Sequence, residues 1–342
     1  MANLGFGIHF APWMTQRRWS ASEGWAPLEV VPLQPLQLHP AAGVLQYAQT
    51  IFEGMKAFAQ IDGGVKVFRP DFHERRLRHS AHRVCLPELP EGGWGEALMQ
   101  TIRANAESIP RGDGEALYLR PTLLSTEGFL GVRPARECLF YVIASPVGSY
   151  FNPGRTGLRI MVETRFSRAA AGGIGSAKAG ANYAASLYSA EQARQKGFDQ
   201  VLWTDAATHS MVEEVGTMNV FFKIGGQLIT PSLGDTILGG STRDAALHLL
   251  KSWDLEVVER PLSLEEIAGG AVSECFGVGT AAVVSKIQEL ADIDGKVFLH
   301  LEGETPVADR LKQAILDIQY GRAPDPKGWM VDCQLPQKDL VG

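Results

Sequence analysis

Residues 145–157 read SPVGSYFNPGRTG, a run of Ser, Pro and Gly that suits neither a helix nor a strand and marks a connector. It falls near the middle of 342 residues, a length beyond which one hydrophobic core stops growing. Two domains are therefore expected: a smaller one over residues 1–146, a connector at 147–157, and a larger one over 158–342.

Both halves mix strand and helix signals, so the expected class is α/β. After VKVFRP, the run DFHERRLRHSAHRVCL predicts a helix with Asp71 as N-cap and a narrow apolar face of Phe72, Leu77, Ala81 and Val84. Leu98, Ile102, Ala106 and Ile109 follow at helical spacing, and ALYLRPTLL (116–124) and CLFYVIASPV (138–147) read as strands. In the second half LRIMVET (158–164) predicts a strand, residues 172–180 a Gly-rich loop, and 182–196 a helix stopped by Gly197. DQVLWTD is a further strand, and NVFFKIGGQLIT a hairpin turning on Gly225-Gly226. Helices are expected over 241–253, from Ser263 with Glu266 placed for a capping box, and near 306–320 behind Pro306. The last should turn Val307, Leu311, Ala314, Ile315 and Ile318 inward.

Composition removes several function classes. A net charge of −6 offers no basic field for nucleic acid, and no Lys/Arg run suits an anionic membrane. No stretch approaches 18 uninterrupted apolar residues, so no membrane span is expected. The opening MANLGFGIHFAPWM lacks the pattern of a secretory leader. Cys85, Cys138, Cys275 and Cys333 lie far apart without metal-ligand spacing, so we expect free thiols, no metal site and a cytoplasmic location.

The run GGIGSAKAG is neither a dinucleotide fingerprint nor a P-loop, and no H-E-x-x-H or G-x-S-x-G occurs. Lys178 stands there among Gly172, Gly173, Gly175, Ser176, Ala177, Ala179, Gly180 and Ala181. Taken alone, that lysine is either a solvated group on a glycine loop or an imine-forming nucleophile approached closely by a ring system. Three segments bear on the choice. MVEEVGTMNVFF sets two carboxylates ahead of a Gly turn, where one could face a pyridine nitrogen and keep it protonated. STRD opens a helix with hydroxyls and backbone N–H groups suited to a phosphate. FGVGTAAVV adds a second Gly-Thr turn able to serve the same anion.

These blocks, with QYAQTIFEGMKAF (46–58), FRP…HERRLRHSA (68–81), LYLRP (117–121), KAGANYAAS (178–186), QVLW (200–203), EVGTMNVF (214–221), ILGGSTR (237–243) and GVGTAAV (277–283), resemble the branched-chain amino acid aminotransferases of the fold-type IV pyridoxal-phosphate enzymes. The resemblance runs in order from about residue 45 to 330. It implies a small N-terminal α/β domain, a larger pseudo-barrel domain, and a homodimer with a shared active site. The implied activity is amino transfer from L-leucine, L-isoleucine or L-valine to 2-oxoglutarate, giving 2-oxo acids and L-glutamate. Other enzymes of the same fold, a D-amino-acid or amine transaminase or an aminodeoxychorismate lyase, are the alternative.

Carried over residue by residue, the resemblance makes Lys178 the Schiff-base lysine and proton carrier, Glu214 the partner of the pyridinium, and Tyr183 the partner of the phenolic oxygen. Strand alternation would turn Glu213 to solvent. Arg76, Ser241, Thr242 and Thr280 match the phosphate donors, with Arg75 and Arg78 as surface neighbours. Tyr47, Tyr118 and Arg120 match carboxylate-binding positions of the substrates, Tyr47 in a segment reaching the other subunit's site. Thr280 and Ala281 also fall on the substrate side, and Phe6, Phe52 and the Met218 region could wall an apolar pocket. Some mammalian relatives carry a CxxC pair after the second Gly-Thr turn; here Ala281, Ala282, Val283 and Val284 stand there.

Overall fold

The computed structural model describes residues 4–148, 157–270 and 272–335, so most of the expected connector lies outside the described residues. The chain divides into two compact units, Met1–Tyr150 with Asp317–Gly342, and Phe151–Leu316.

The first unit is built on a nine-stranded sheet. Its spine is β7 (Ala116–Ser125) against β8 (Glu137–Val147), antiparallel in unbroken register from Ala116↔Val147 to Ser125↔Cys138. β1 (Trp13–Ser20) flanks β8, and β2 (Gly24–Trp25) and β3 (Glu29–Pro32) fold back on β1. On the other side β4 (Thr50–Phe52) and β5 (Met55–Ala59) pair with β7, and β6 (Val65–Phe68) pairs with β5. A short α1 (Gly43–Tyr47) precedes β4. α3 (Gly93–Ala104) turns Trp94, Ala97, Leu98, Thr101 and Ile102 inward. Each large apolar side chain so buried contributes about 1.5–3 kcal/mol.

α2 (Pro70–Arg83) corrects one expectation. Asp71 is not its N-cap: the helix starts at Pro70, behind Arg69 in the left-handed conformation at φ 54°. Proline needs no hydrogen bond for its nitrogen at the first helical position, and its fixed φ already suits the helix. Asp71 instead sits in the first turn, ion-paired with Arg75 at 3.0 Å. The buried residues of α2 are Pro70, His73, Leu77, Ser80 and Ala81, two of them polar.

A second difference concerns the end of the chain. Residues from Asp317 onward, expected with the larger domain, belong to the first unit. There β18 (Met330–Asp332) pairs antiparallel with β6, Met330 opposite Phe68, and Trp329 meets Phe68 edge-on.

The second unit holds another nine-stranded, mixed sheet. β9 (Leu158–Val162) lies parallel between β10 (Gln200–Thr204) and β16 (Val283–Asp292). β11 (Val212–Val215) extends the sheet past β10, and β17 (Val297–His300) pairs with β16. Beyond β16 run β15 (Val272–Gly279), β12 (Asn219–Ile224), β13 (Gln227–Thr230) and β14 (Val257–Glu259). The β12–β13 hairpin turns on Gly225 and Gly226 at φ 56° and 91°, the two positive values that a type I′ turn requires. Leu202, Val215, Val220, Phe222, Ile229, Leu262 and Ile287 form the centre of its core.

Four helices complete the unit's sequence: α4 (Gly180–Gln195), α5 (Ser241–Ser252), α6 (Leu264–Ala268) and α7 (Pro306–Gln319), the last crossing the boundary at Asp317. Ser263 caps α6 by accepting from the Glu266 N–H at 3.1 Å. The Glu266 carboxylate pairs with Arg260 in place of closing the capping box, because a forked charge-assisted pair outweighs one neutral hydrogen bond.

Candidate active site

The glycine run ahead of Lys178 is held rather than loose. Ser176 N–H donates to the Asp235 carbonyl at 2.8 Å, and the Asn182 amide clips the Ile174 and Ala177 carbonyls at 2.8 and 2.9 Å. A Cβ on Gly175 would meet the Asp235 carbonyl oxygen and the Thr236 Cα, both at 2.7 Å, so only glycine fits that approach. Gly175→Ala is therefore expected to push the loop off residues 235–236 and lower thermal stability by about 1–3 kcal/mol, the usual cost of overpacking. Thermal unfolding checks this; an unchanged midpoint would mean the loop can yield without loss.

That clamp delivers Lys178, half-buried between the buried Ala177 and Ala179, to the start of α4. Its Nζ donates to the Tyr183 hydroxyl at 2.8 Å. Lysine and tyrosine lie five residues apart, with α4 beginning between them, so the helix start fixes their separation.

Glu214, on β11, is buried against the same region. Oε1 accepts from the Leu238 N–H at 3.0 Å and the Asn219 amide at 3.2 Å, while Oε2 pairs with Arg168 at 2.7 Å. Burial pushes this carboxyl up, and Arg168, the Leu238 amide and Lys178 oppose that push. β11 leads into β12 through the tight turn Gly216-Thr217, where Gly216 takes φ 56° and Val215 bridges Met218. Tyr183, Asn182, Ser186, Glu214, Thr217 and Leu238 line one cleft.

Glu213 does not face solvent. All four residues of β11 are buried, so alternation along this strand exchanges one covered face for another. Glu213 is 6% exposed, bonds the Thr236 side chain, and its carboxyl is raised by burial with Arg168 opposing. Arg168, which also donates to the Thr236 carbonyl, is thus the charge around which both glutamates are arranged. Sequence reasoning missed Arg168 and Asn219. The available signals were a single arginine ahead of the alanine-glycine run, and an asparagine where β12 begins.

The phosphate candidates of this unit fall at the start of α5. Ser241 and Thr242 are buried, and α5 opens behind Gly240 with no side-chain cap. A helix leaves its first amides without intrahelical partners, and the buried Ser241 hydroxyl has no hydrogen-bond partner among the described residues. Arg243 anchors the helix by donating to the Pro231 carbonyl and pairing with Glu259, each at 3.0 Å. Thr280 and Ala281 lie half-buried in the β15–β16 turn. Met218 packs in the core, against Gly277 and Gly279, rather than standing as a separate wall.

The remaining candidates belong to the first unit. Arg120 stacks over Phe52 at 4.7 Å and over Tyr118 at 5.3 Å, and donates to the Tyr118 hydroxyl at 2.9 Å. Phe6 meets Tyr118 edge-on at 4.9 Å. Lys56, opposite Tyr118 in the β5–β7 register, is buried and pushed down to about 8 by that burial. Tyr47 is half-exposed on α1 and donates to the Leu130 carbonyl. Arg76 lies on α2 with its guanidinium against Glu53, whereas Arg75 is largely exposed and Arg78 pairs with Glu74 and Glu88. Among the described residues no group of three or more His, Cys, Asp or Glu could hold a metal, and no helix is long and apolar enough to cross a membrane.

This arrangement suits a phosphorylated pyridine aldehyde. An amine, a tyrosine hydroxyl beside it, a buried carboxylate and an uncapped helix start with an orphaned hydroxyl are the donor set that such a group needs. Comparison with known proteins agrees. Residues 50–290 match the family described as amino-transferase class IV. The chain is 41% identical over 334 residues to branched-chain-amino-acid aminotransferase 2 of Bacillus subtilis, covering 96% of this chain and 92% of that one. Its fold matches the crystal structure of the Escherichia coli branched-chain amino acid aminotransferase with a TM-score of 0.78 and 28% identity, covering 93% and 99% of the two chains. It also matches the T.th. branched-chain amino acid aminotransferase with pyridoxamine 5′-phosphate at a TM-score of 0.76 and 25% identity, over 93% and 98%.

Proposed function

Since the chain belongs to the class IV aminotransferases, and among them to the branched-chain-amino-acid aminotransferases, we propose that it transfers the amino group of L-leucine, L-isoleucine or L-valine to 2-oxoglutarate with pyridoxal 5′-phosphate as cofactor. The observation that carries this reading is the Lys178–Tyr183 contact in the unit that also buries Glu214. When bound, the cofactor supplies a carbonyl that captures amino groups and an electron-poor ring that takes up charge from the substrate Cα. Lys178 Nζ would hold the cofactor between turnovers and, once displaced by substrate, would accept the proton released from Cα. Tyr183 Oη, which accepts from that amine at 2.8 Å, would also meet the cofactor's phenolic oxygen. Glu214 keeps a proton on the ring nitrogen, with Arg168 opposing the effect of burial on its carboxyl.

Ser241, Thr242, Thr280 and Arg76 are assigned to the phosphate, and Tyr118, Arg120, Phe52, Tyr47, Thr280 and Ala281 to the substrate. An arginine lying on aromatic faces supports a pocket for both an aliphatic side chain and a glutamate carboxylate. We further infer a homodimer. Leu45, Tyr47, Phe129, Leu130 and Val132 are exposed apolar residues, and such residues support an interface with a second copy. Four cysteines standing as free thiols suit the reducing cytoplasm.

The amino-donor profile tests the substrate assignment. Purified protein with pyridoxal phosphate should turn over L-leucine, L-isoleucine and L-valine with 2-oxoglutarate and leave D-alanine untouched. Strong turnover of D-alanine with none of L-leucine would overturn it.

A further inference from the structure

Glu53 lies between β4 and β5, fully buried, with Ile51 and Met55 also buried on either side. A carboxylate there requires partners, because an unpaired buried charge costs several kcal/mol. α2 supplies them. Arg76 Nε donates to Oε1 at 2.7 Å, Arg76 Nη2 to Oε2 at 2.7 Å, and His73 Nδ1 meets Oε2 at 2.6 Å. Burial pushes the Glu53 carboxyl up, but Arg76 and then His73 more than reverse that, so it is held well below the usual carboxylate range. This explains why His73 is buried on α2: His73 and Arg76, one turn apart, both turn toward one strand-end acid.

The two parallel bonds fix the guanidinium plane as a single contact could not. They engage Nε and Nη2, and Nη2 also lies 3.4 Å from His73 Nδ1. From this we propose that Glu53 is a positioning residue for cofactor binding, orienting Arg76 toward the cofactor's phosphate. The proposal rests on the assignment of Arg76 to the phosphate. Two effects of Glu53 oppose each other there. Its negative charge weakens the attraction of Arg76 for a dianion, while its grip holds the guanidinium in one orientation. The proposal is that the second effect dominates.

The test compares dissociation constants for pyridoxal phosphate and for pyridoxal, which lacks the phosphate, in the full-length apoprotein. Wild type, Glu53→Gln, Glu53→Asp, Arg76→Ala and the Glu53→Asp/Arg76→Ala double variant are titrated by visible absorbance. Glu53→Asp retains the buried charge but withdraws the carboxylate by one methylene, and serves if Glu53→Gln does not fold. Each Glu53 variant should bind pyridoxal phosphate about 10- to 100-fold more weakly, the scale of a lost hydrogen bond to a charged group. Binding of pyridoxal should hardly change, and the double variant should be no weaker than Arg76→Ala.

Equal weakening for both ligands would reduce Glu53 to a structural residue and overturn the proposal. So would unchanged or tighter binding of pyridoxal phosphate. If Arg76→Ala keeps the full preference for the phosphorylated ligand, the assignment of Arg76 falls and the proposal falls with it. If Arg76→Ala loses the preference while a folded Glu53 variant keeps it, only the role of Glu53 is lost.

Discussion

Replacing Lys178 by alanine is expected to abolish the visible absorption band of the purified enzyme and to lower turnover by at least about 10⁴-fold, the upper end of what one proton-transferring group contributes. The physical reason is that one amine has two tasks. In the proposed reading it would attach the cofactor and carry the proton at the substrate Cα, so no neighbouring group would restore either when it is removed. Tyr183, 2.8 Å from the amine, has no amine with which to attach the cofactor, and Glu214 is engaged by Leu238, Asn219 and Arg168. The loop itself should survive, since Asn182 and Ser176 hold it through backbone contacts that do not involve the Lys178 side chain. Visible absorbance before and after borohydride, with near-ultraviolet circular dichroism as the control for folding, checks this. A Lys178→Ala protein with a persistent borohydride-sensitive band would transfer the role to another lysine.

Glu214→Gln should lower turnover by about 10²- to 10³-fold, the range found when a preorganised electrostatic contact to the reacting group is lost. It should also destabilise the second unit, because buried Arg168 loses the carboxylate paired with it at 2.7 Å and keeps only Glu213 nearby. Removing one member of a buried ion pair typically costs about 3–5 kcal/mol. The two consequences can be separated. In the Glu214→Gln/Arg168→Met protein the orphaned charge is gone, so the melting temperature should recover in part while turnover stays low. If turnover recovers together with stability, Glu214 acts only as Arg168's counterion and not on the ring nitrogen.

The sequence was most informative where one local pattern decides the structure. The β12–β13 hairpin follows from Gly225-Gly226 between apolar strands, and α7 follows from Pro306 and its inward row of Val307, Leu311, Ile315 and Ile318. The Lys178, Glu214 and Tyr183 candidates were legible too, through a resemblance in motif order; the glycine run by itself left Lys178 open. What was not legible depended on contacts far apart in the chain. Burial of Glu213 requires a second covered face on β11 and the charge of Arg168, which no alternation rule contains. The grip of Glu53 on Arg76 joins residues 23 apart, and the acid reads in sequence only as an interruption between apolar strands. α2 starts two residues earlier than expected, with Arg69 and not Asp71 as N-cap, because proline's fixed φ suits the first helical position.

The pairing of β18 with β6 also sets an order of events during synthesis. Strand β6 leaves the ribosome early, yet its partner Met330–Asp332 follows only after the whole second unit has been translated. The second unit is contiguous in sequence and can fold as it emerges, whereas the first must wait with the β6 edge uncovered. An uncovered strand edge is a template for pairing with other nascent chains. Shortening the chain before β18 would therefore act first on yield and aggregation in the cell, while leaving every residue assigned to chemistry in place.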